Sequence, residues 1–225
     1  MPLDPDTVAR RAFNPASGVS GCGGKSAAAM ILELQEVVGH PWPMLPLGIG
    51  SFANGGGPYG ATCGGLAGPF FVMTLVGASG AIGTQYHKWY CDFAFPTIEW
   101  DDLFTFKGTI QSVADSPLCH ESRSQWENVY LKEQYDGVNY DGTRCTKLPM
   151  DTVKKAVQML NDWKAGAVLP AWAADKDYET CYTCHTQLNT DHKPGAIHSS
   201  QRENCNNCHT VTKRHAKSGP ITRSR

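Results

Sequence analysis

Apolar residues recur every three or four positions along several stretches of this chain and rarely alternate, so the hydrophobic pattern predicts a mainly α fold. Asp4-Pro5 marks a helix start, because proline in the first turn gives up only an N–H that would lack an intrahelical partner. This first helix runs to about Phe13. After a break at 15–24, Ala27, Met30, Ile31, Leu34 and Val38 follow at helical spacing, and Gly39 and Pro41 end the element. The Pro- and Gly-rich stretch 41–60, with its Asn54-Gly55-Gly56-Gly57-Pro58 run, predicts a structured loop or a close backbone approach. No Lys follows it in the arrangement of a phosphate-binding P-loop. Further helices are predicted over 60–79, the most buried, over 84–93 with Tyr86, Trp89, Tyr90 and Phe93, and near 122–133. A longer one over 151–164, carrying Val153, Ala156, Val157, Leu160 and Trp163, is closed by Gly166.

Between Val37 and His87 there is no Asp, Glu, Lys or Arg, and 66–76 is strongly apolar. Length alone would allow a membrane span. Pro69 and many glycines interrupt the stretch, and charged amphipathic segments flank it, so a buried helix or subunit interface is the better reading and no integral membrane span is expected. Arg10-Arg11 superficially resembles a twin-arginine export signal, but Asn14-Pro15-Ala16-Ser17-Gly18 follows where an apolar run would be needed.

The pattern changes after Leu169-Pro170. From Ala171 onward aliphatic residues are few, while five of the eight His and four of the nine Cys gather there. This divides the chain into a helical domain, 1–170, with a Gly-rich loop, and a segment, 171–225, with little regular structure of its own. Lys and Arg number 20 against 21 Asp and Glu, with no block of like charge, which excludes an ordinary nucleic-acid-binding surface. The final segment is locally basic, with eight Lys and Arg against five Asp and Glu. That balance suits haem propionates, and equally a solvated basic surface.

Cys181-Tyr182-Thr183-Cys184-His185 and Cys205-Asn206-Asn207-Cys208-His209 both read CxxCH. Two thiols at this spacing can add across the two vinyl groups of a haem, and the next residue then places an imidazole on the iron. Two copies predict two c-type haems, anchored by Cys181, Cys184, Cys205 and Cys208, with His185 and His209 as proximal ligands. Nineteen residues separate His185 from Cys205, so the two irons would be neighbours. The rival is a structural zinc held by the same four cysteines, which fit C-x2-C-x20-C-x2-C. A histidine directly after each second cysteine has no role in such a site, whereas two haems use both. Candidate distal ligands are His120, His192, His198 and His215, with His40 and His87 behind them. His87 lies beside Trp89 and Tyr90 on a core helix and is expected to pack rather than ligate.

Cys22, Cys63, Cys91, Cys119 and Cys145 remain; an odd number cannot all pair as intrachain disulfides, and their scatter fits no compact ferredoxin motif. The segments Ser20-Gly21-Cys22, 60–68 around Cys63, Ser116-Pro117-Leu118-Cys119-His120 and Arg144-Cys145-Thr146-Lys147-Leu148 occur in the order seen in split-Soret cytochromes c. The same four-cysteine layout marks a broader group of redox-active proteins without the haem tail. With the two CxxCH motifs, the resemblance covers nearly the whole chain. It implies a periplasmic homodimer of mainly helical subunits, each with two bis-histidine c-type haems near the dimer interface, an iron–sulfur cluster of the [2Fe-2S] kind, and one axial histidine donated by the partner subunit. It also makes Cys22, Cys63, Cys119 and Cys145 candidate cluster ligands and His120 a candidate distal ligand, and it implies that a leader is removed or that the start is misassigned. The chain departs from the family layout in carrying Cys91 and in having Gly23-Gly24 after its first cysteine.

The function expected on these grounds is electron transfer to and from redox partner proteins, since bis-histidine ligation leaves the iron no open position. The alternative is a reductase in which a haem or the cluster keeps an open site for a small molecule. No acid/base pair stands beside either haem motif to support it. A thiol-redox or zinc-structural protein is the third reading.

Overall fold

The computed structural model describes residues 2–55, 59–105, 110–132 and 140–170, with the backbone alone at 132 and 140–143. Among them the fold is mainly α. Helix α1 (Pro5–Arg11) begins at Asp4, whose carboxylate accepts hydrogen bonds from the Asp6 and Thr7 N–H groups. Helix α2 (Gly21–Val37) is followed by two 3-10 turns, Trp42–Met44 and Leu47–Ala53, inside the stretch read as a loop. Then come α3 (Gly64–Leu75) and α4 (Ser79–Asp92). Two short strands, β1 (Ala94–Phe95) and β2 (Ser112–Val113), pair antiparallel with Phe95 opposite Ser112. Helices α5 (Cys119–Lys132) and α6 (Tyr140–Lys164) complete the order.

Helix α2 is the hub. It packs on the 47–53 turn, α3, α6 and α1, while α6 runs against α1, α2, α3 and α4. Met30 and Ile31 of α2, Leu66 and Met73 of α3, Ile82, Tyr86 and Tyr90 of α4, and Leu148, Val153 and Val157 of α6 form the buried core. A smaller cluster of Ile110, Trp126 and Tyr130 is tied together where the Trp126 indole donates to the Ile110 carbonyl at 3.1 Å. The apolar stretch 66–76 falls in α3, where Leu66, Val72 and Met73 are fully buried. No helix among the described residues is long and apolar enough to cross a membrane.

Helix ends depart from the periodicity, and three of the starts fall at cysteines. Helix α2 starts at Gly21, not Ala27, because its first turn is capped from a distance: the Asn54 carboxamide accepts from the Gly23 and Gly24 N–H groups at 2.8 and 3.2 Å. Ser20 sits at the usual capping position and makes no side-chain cap. Helix α5 starts at Cys119, three residues before the expected boundary. Helix α6 begins eleven residues early and carries Pro149 in its interior. That proline has no N–H for the carbonyl of Cys145, and the turn is held instead by burial of Arg144, Lys147 and Leu148. Helix α3 is shorter than expected, since Gly77 at φ +80° reverses the chain and the Ala78 N–H closes on the Met73 carbonyl at 2.9 Å. Gly166 closes α6 as expected, at φ +75°.

The chain divides into two compact units, Met1–Trp172 and Ala173–Arg225. The second lies outside the described residues, and with it the expected haem-wrapped segment.

Candidate metal centre

Three of the four candidate cluster cysteines stand at helix N-termini. Cys22 occupies the first turn of α2, Cys63 is the residue immediately before α3, and Cys119 is the first residue of α5. Cys145 comes from the early part of α6. Helix N-termini carry partial positive charge and unpaired N–H groups, which favour thiolate over thiol.

Backbone pairing sets the positions of Cys63 and Cys119. The Cys63 N–H donates to the Pro117 carbonyl at 2.8 Å, Thr62 and Leu118 form an antiparallel bridge, and the Cys119 and His120 N–H groups donate to Ala61 and Gly60. Upstream of this segment, Asp115 adopts φ 56° and its N–H donates to the Cys91 carbonyl at 2.9 Å, which ties the approach to Cys119 to the end of α4.

Cys22 reaches Cys63 because the backbones approach closely. A Cβ on Gly64 would lie 2.6 Å from the Cys22 sulfur and 2.6 Å from the Ala53 carbonyl oxygen. Gly23 faces the Ala53 backbone, and a Cβ there would come within 2.8 Å of it.

The thiols of Cys22 and Cys119 both hydrogen-bond Cys63, which also receives the Tyr90 hydroxyl. Hydrogen bonds from Cys119 and Cys22 hold the Cys63 pKa well below the usual thiol value, against burial, with help from Tyr90 and Arg144. Cys22 and Cys119 are pushed the other way by hydrogen bonding to Cys63 and by burial. Burial also raises Cys145, which Arg144 opposes. Among the described residues, no group of three or more His, Cys, Asp or Glu is placed to hold a single metal ion. A sulfur-rich, buried donor set of this kind suits iron–sulfur chemistry.

Arg144, Tyr90 and Ser122 were not among the expected site residues. The Arg144 guanidinium donates to Ser122 Oγ at 2.6 Å, and Tyr90 shares that hydroxyl at 3.0 Å. Arg144 was visible as the neighbour of Cys145, but no pattern signalled its burial; Tyr90 read only as a core aromatic.

His120 is exposed, and its Nδ1 lies 2.8 Å from the Gly60 carbonyl oxygen, so Nδ1 carries the proton and Nε2 is left available. His87 packs as expected, edge-on to Phe70 with Nδ1 on the Gly83 carbonyl. His40 is exposed in the turn after α2. Cys181, Cys184, His185, His192, His198, Cys205, Cys208, His209 and His215 lie outside the described residues.

The chain matches no protein-family profile and no curated protein. Among solved structures it is similar to the split-Soret cytochrome c from Desulfovibrio desulfuricans, a protein with a novel iron centre. The TM-score is 0.76 at 24% identity, over 95% of this chain and 90% of that one. The two share a fold.

Proposed function

We propose that this protein is an electron carrier with two covalently attached bis-histidine c-type haems and a [2Fe-2S] cluster. The observation that carries the cluster is the meeting of Cys22, Cys63 and Cys119, with Cys145 beside them, from four helices far apart in sequence. The two CxxCH motifs carry the haems, and the fold shared with a split-Soret cytochrome c supports both. When bound, these groups supply one-electron redox chemistry without an open coordination position.

The chain's own residues then have distinct tasks. Cys181, Cys184, Cys205 and Cys208 anchor the haems, and His185 and His209 are the proximal ligands. His120, His192, His198 and His215 are the pool of distal ligands, one of them reaching across a homodimer. Cys22, Cys63, Cys119 and Cys145 hold the cluster. Tyr90, fully buried and hydrogen-bonded to Cys63, keeps water from that thiol. Residues 1–170 serve as the cluster domain and 171–225 as the haem segment, in a periplasmic protein that exchanges electrons with partner proteins.

The test is an ultraviolet–visible spectrum with iron and acid-labile sulfide counted per chain, on protein matured in a periplasm equipped for c-type haem attachment. Two low-spin haems, with non-haem iron and sulfide in equal amounts, are expected. A colourless zinc protein, or stoichiometric carbon monoxide binding at both haems, overturns the reading.

A further inference from the structure

Arg144 is 2% exposed, and its Nε is buried with no hydrogen-bond partner. Its Nη2 is held by Ser122 Oγ, which also meets the Tyr90 hydroxyl. The strongest electrostatic partners of the guanidinium are Tyr90, Cys145 and Cys63, and Cys119 also feels its charge. None of these is a carboxylate. A guanidinium stays protonated under all ordinary conditions, so burying it here costs several kcal/mol unless an anion stands against it. Among the described residues, the acidic groups it faces are the Tyr90 hydroxyl and the cysteine thiols.

We propose that Arg144, clamped by Ser122 and Tyr90, is the fixed counter-charge of the cysteine site and sets the reduction potential of the cluster bound there. The inference rests on the cluster assignment made above. A cluster held by cysteine thiolates is anionic and gains one further negative charge on reduction. A cation buried against its ligands stabilises the reduced form more than the oxidised one, in a medium where water screens little. Arg144 thus keeps the potential higher than four thiolates alone would, and the Nε without a partner is the donor free to serve a ligand sulfur. Arg suits this position better than Lys because its charge does not depend on burial and its planar fork serves Ser122 and sulfur together.

The test is a redox titration of the cluster, followed by electron paramagnetic resonance, in the full haem-bearing protein and its Arg144→Gln and Arg144→Lys variants. Arg144→Gln is expected to disfavour reduction at least tenfold, about 59 mV for a one-electron couple, while Arg144→Lys recovers most of the difference. If Arg144→Gln assembles no cluster and Arg144→Lys assembles one, the charge is needed for assembly and the proposal stands. It is overturned if Arg144→Gln loads normally and its reduction equilibrium stays within twofold of wild type. It is also overturned if neither variant loads while both keep the wild-type circular dichroism, which would make the guanidinium a shape requirement. Absence of non-haem iron and sulfide from the wild-type protein would be the separate failure of the cluster assignment itself.

Discussion

Cys63 and Cys119, 56 positions apart, are joined through main chain before their sulfurs meet. Each sits at the end of a short antiparallel pairing in which Cys63 donates to Pro117 and Cys119 to Ala61. Their spacing is thus a property of backbone register, which side-chain changes nearby leave intact. Cys22 is positioned differently, by how closely α2 approaches the start of α3.

That contrast makes Gly64 a selective test. In Gly64→Ala the new methyl would overlap the Cys22 sulfur and the Ala53 carbonyl, both at 2.6 Å, and relieving it needs movement of α2 and of the 47–53 turn against it. Overpacking of this kind costs about 1–3 kcal/mol. The variant is expected to lose non-haem iron and sulfide while keeping covalent haem, read by metal analysis and a haem-stained gel. Full iron and sulfide content would show that Cys22 is not needed in place.

Asn54 caps a helix 30 residues before it. Its carboxamide accepts from Gly23 and Gly24 and donates to the Ser20 carbonyl at 3.1 Å, so Asn54→Ala strips the first turn of α2 of its partners. The expected loss is about 0.5–2 kcal/mol in urea unfolding, the range for helix caps. Asn54→Asp should recover most of it, because a carboxylate accepts the same two N–H groups and favours the positive helix end.

How much of this was legible in the sequence depends on which interaction sets each feature. The core stripe of α2 and the Gly166 stop of α6 follow from local periodicity and backbone freedom, and both stand where expected. The starts of α2 and α5 do not, because Asn54 and the 60–63 backbone supply their caps from distant sequence. The start of α6 at Tyr140, ahead of Pro149, depends on tertiary burial rather than on local pattern. Pro149 does break the hydrogen-bond ladder, but buried Leu148, Met150 and Val153 compensate through packing. The four cysteines were identifiable through family resemblance and motif order. The place of Arg144 was not, since a buried Arg looks like any other charged residue in sequence.

Asp151 gives the fold a pH dependence independent of any cofactor. Its carboxyl accepts from Thr97 Oγ1 and N–H and from the Trp100 indole, which ties α6 to the segment after β1. Burial nevertheless pushes its pKa up to about 6, those hydrogen bonds opposing. Between roughly pH 4 and pH 6 the folded state retains a proton that the unfolded state has released, so stability falls as pH rises. The contribution is complete below the unfolded value of 3.8 and lost above about 6, some 3 kcal/mol at most. Urea midpoints measured across this window should decline with pH in the wild type. In Asp151→Asn the part of that slope due to this group should vanish; an unchanged slope would assign it to other groups.

His120 directly follows Cys119, so a single backbone segment positions both a candidate cluster ligand and a candidate haem ligand. Its Nδ1–H is committed to the Gly60 carbonyl, and the exposed Nε2 is the nitrogen left to bind iron, the arrangement in which metal-bound histidines are commonly held. Gly60 is itself constrained: it adopts φ +62°, and a Cβ there would come 2.9 Å from that of His120. His120→Ala should therefore leave both haems covalently attached and turn one of them high-spin and able to bind carbon monoxide. Gly60→Ala, which displaces the imidazole without removing it, should give a mixture of low- and high-spin signals. If His120→Ala keeps two low-spin haems in the resting spectrum, the distal ligands come from His192, His198 and His215 and the Cys119-His120 link has no part in haem ligation.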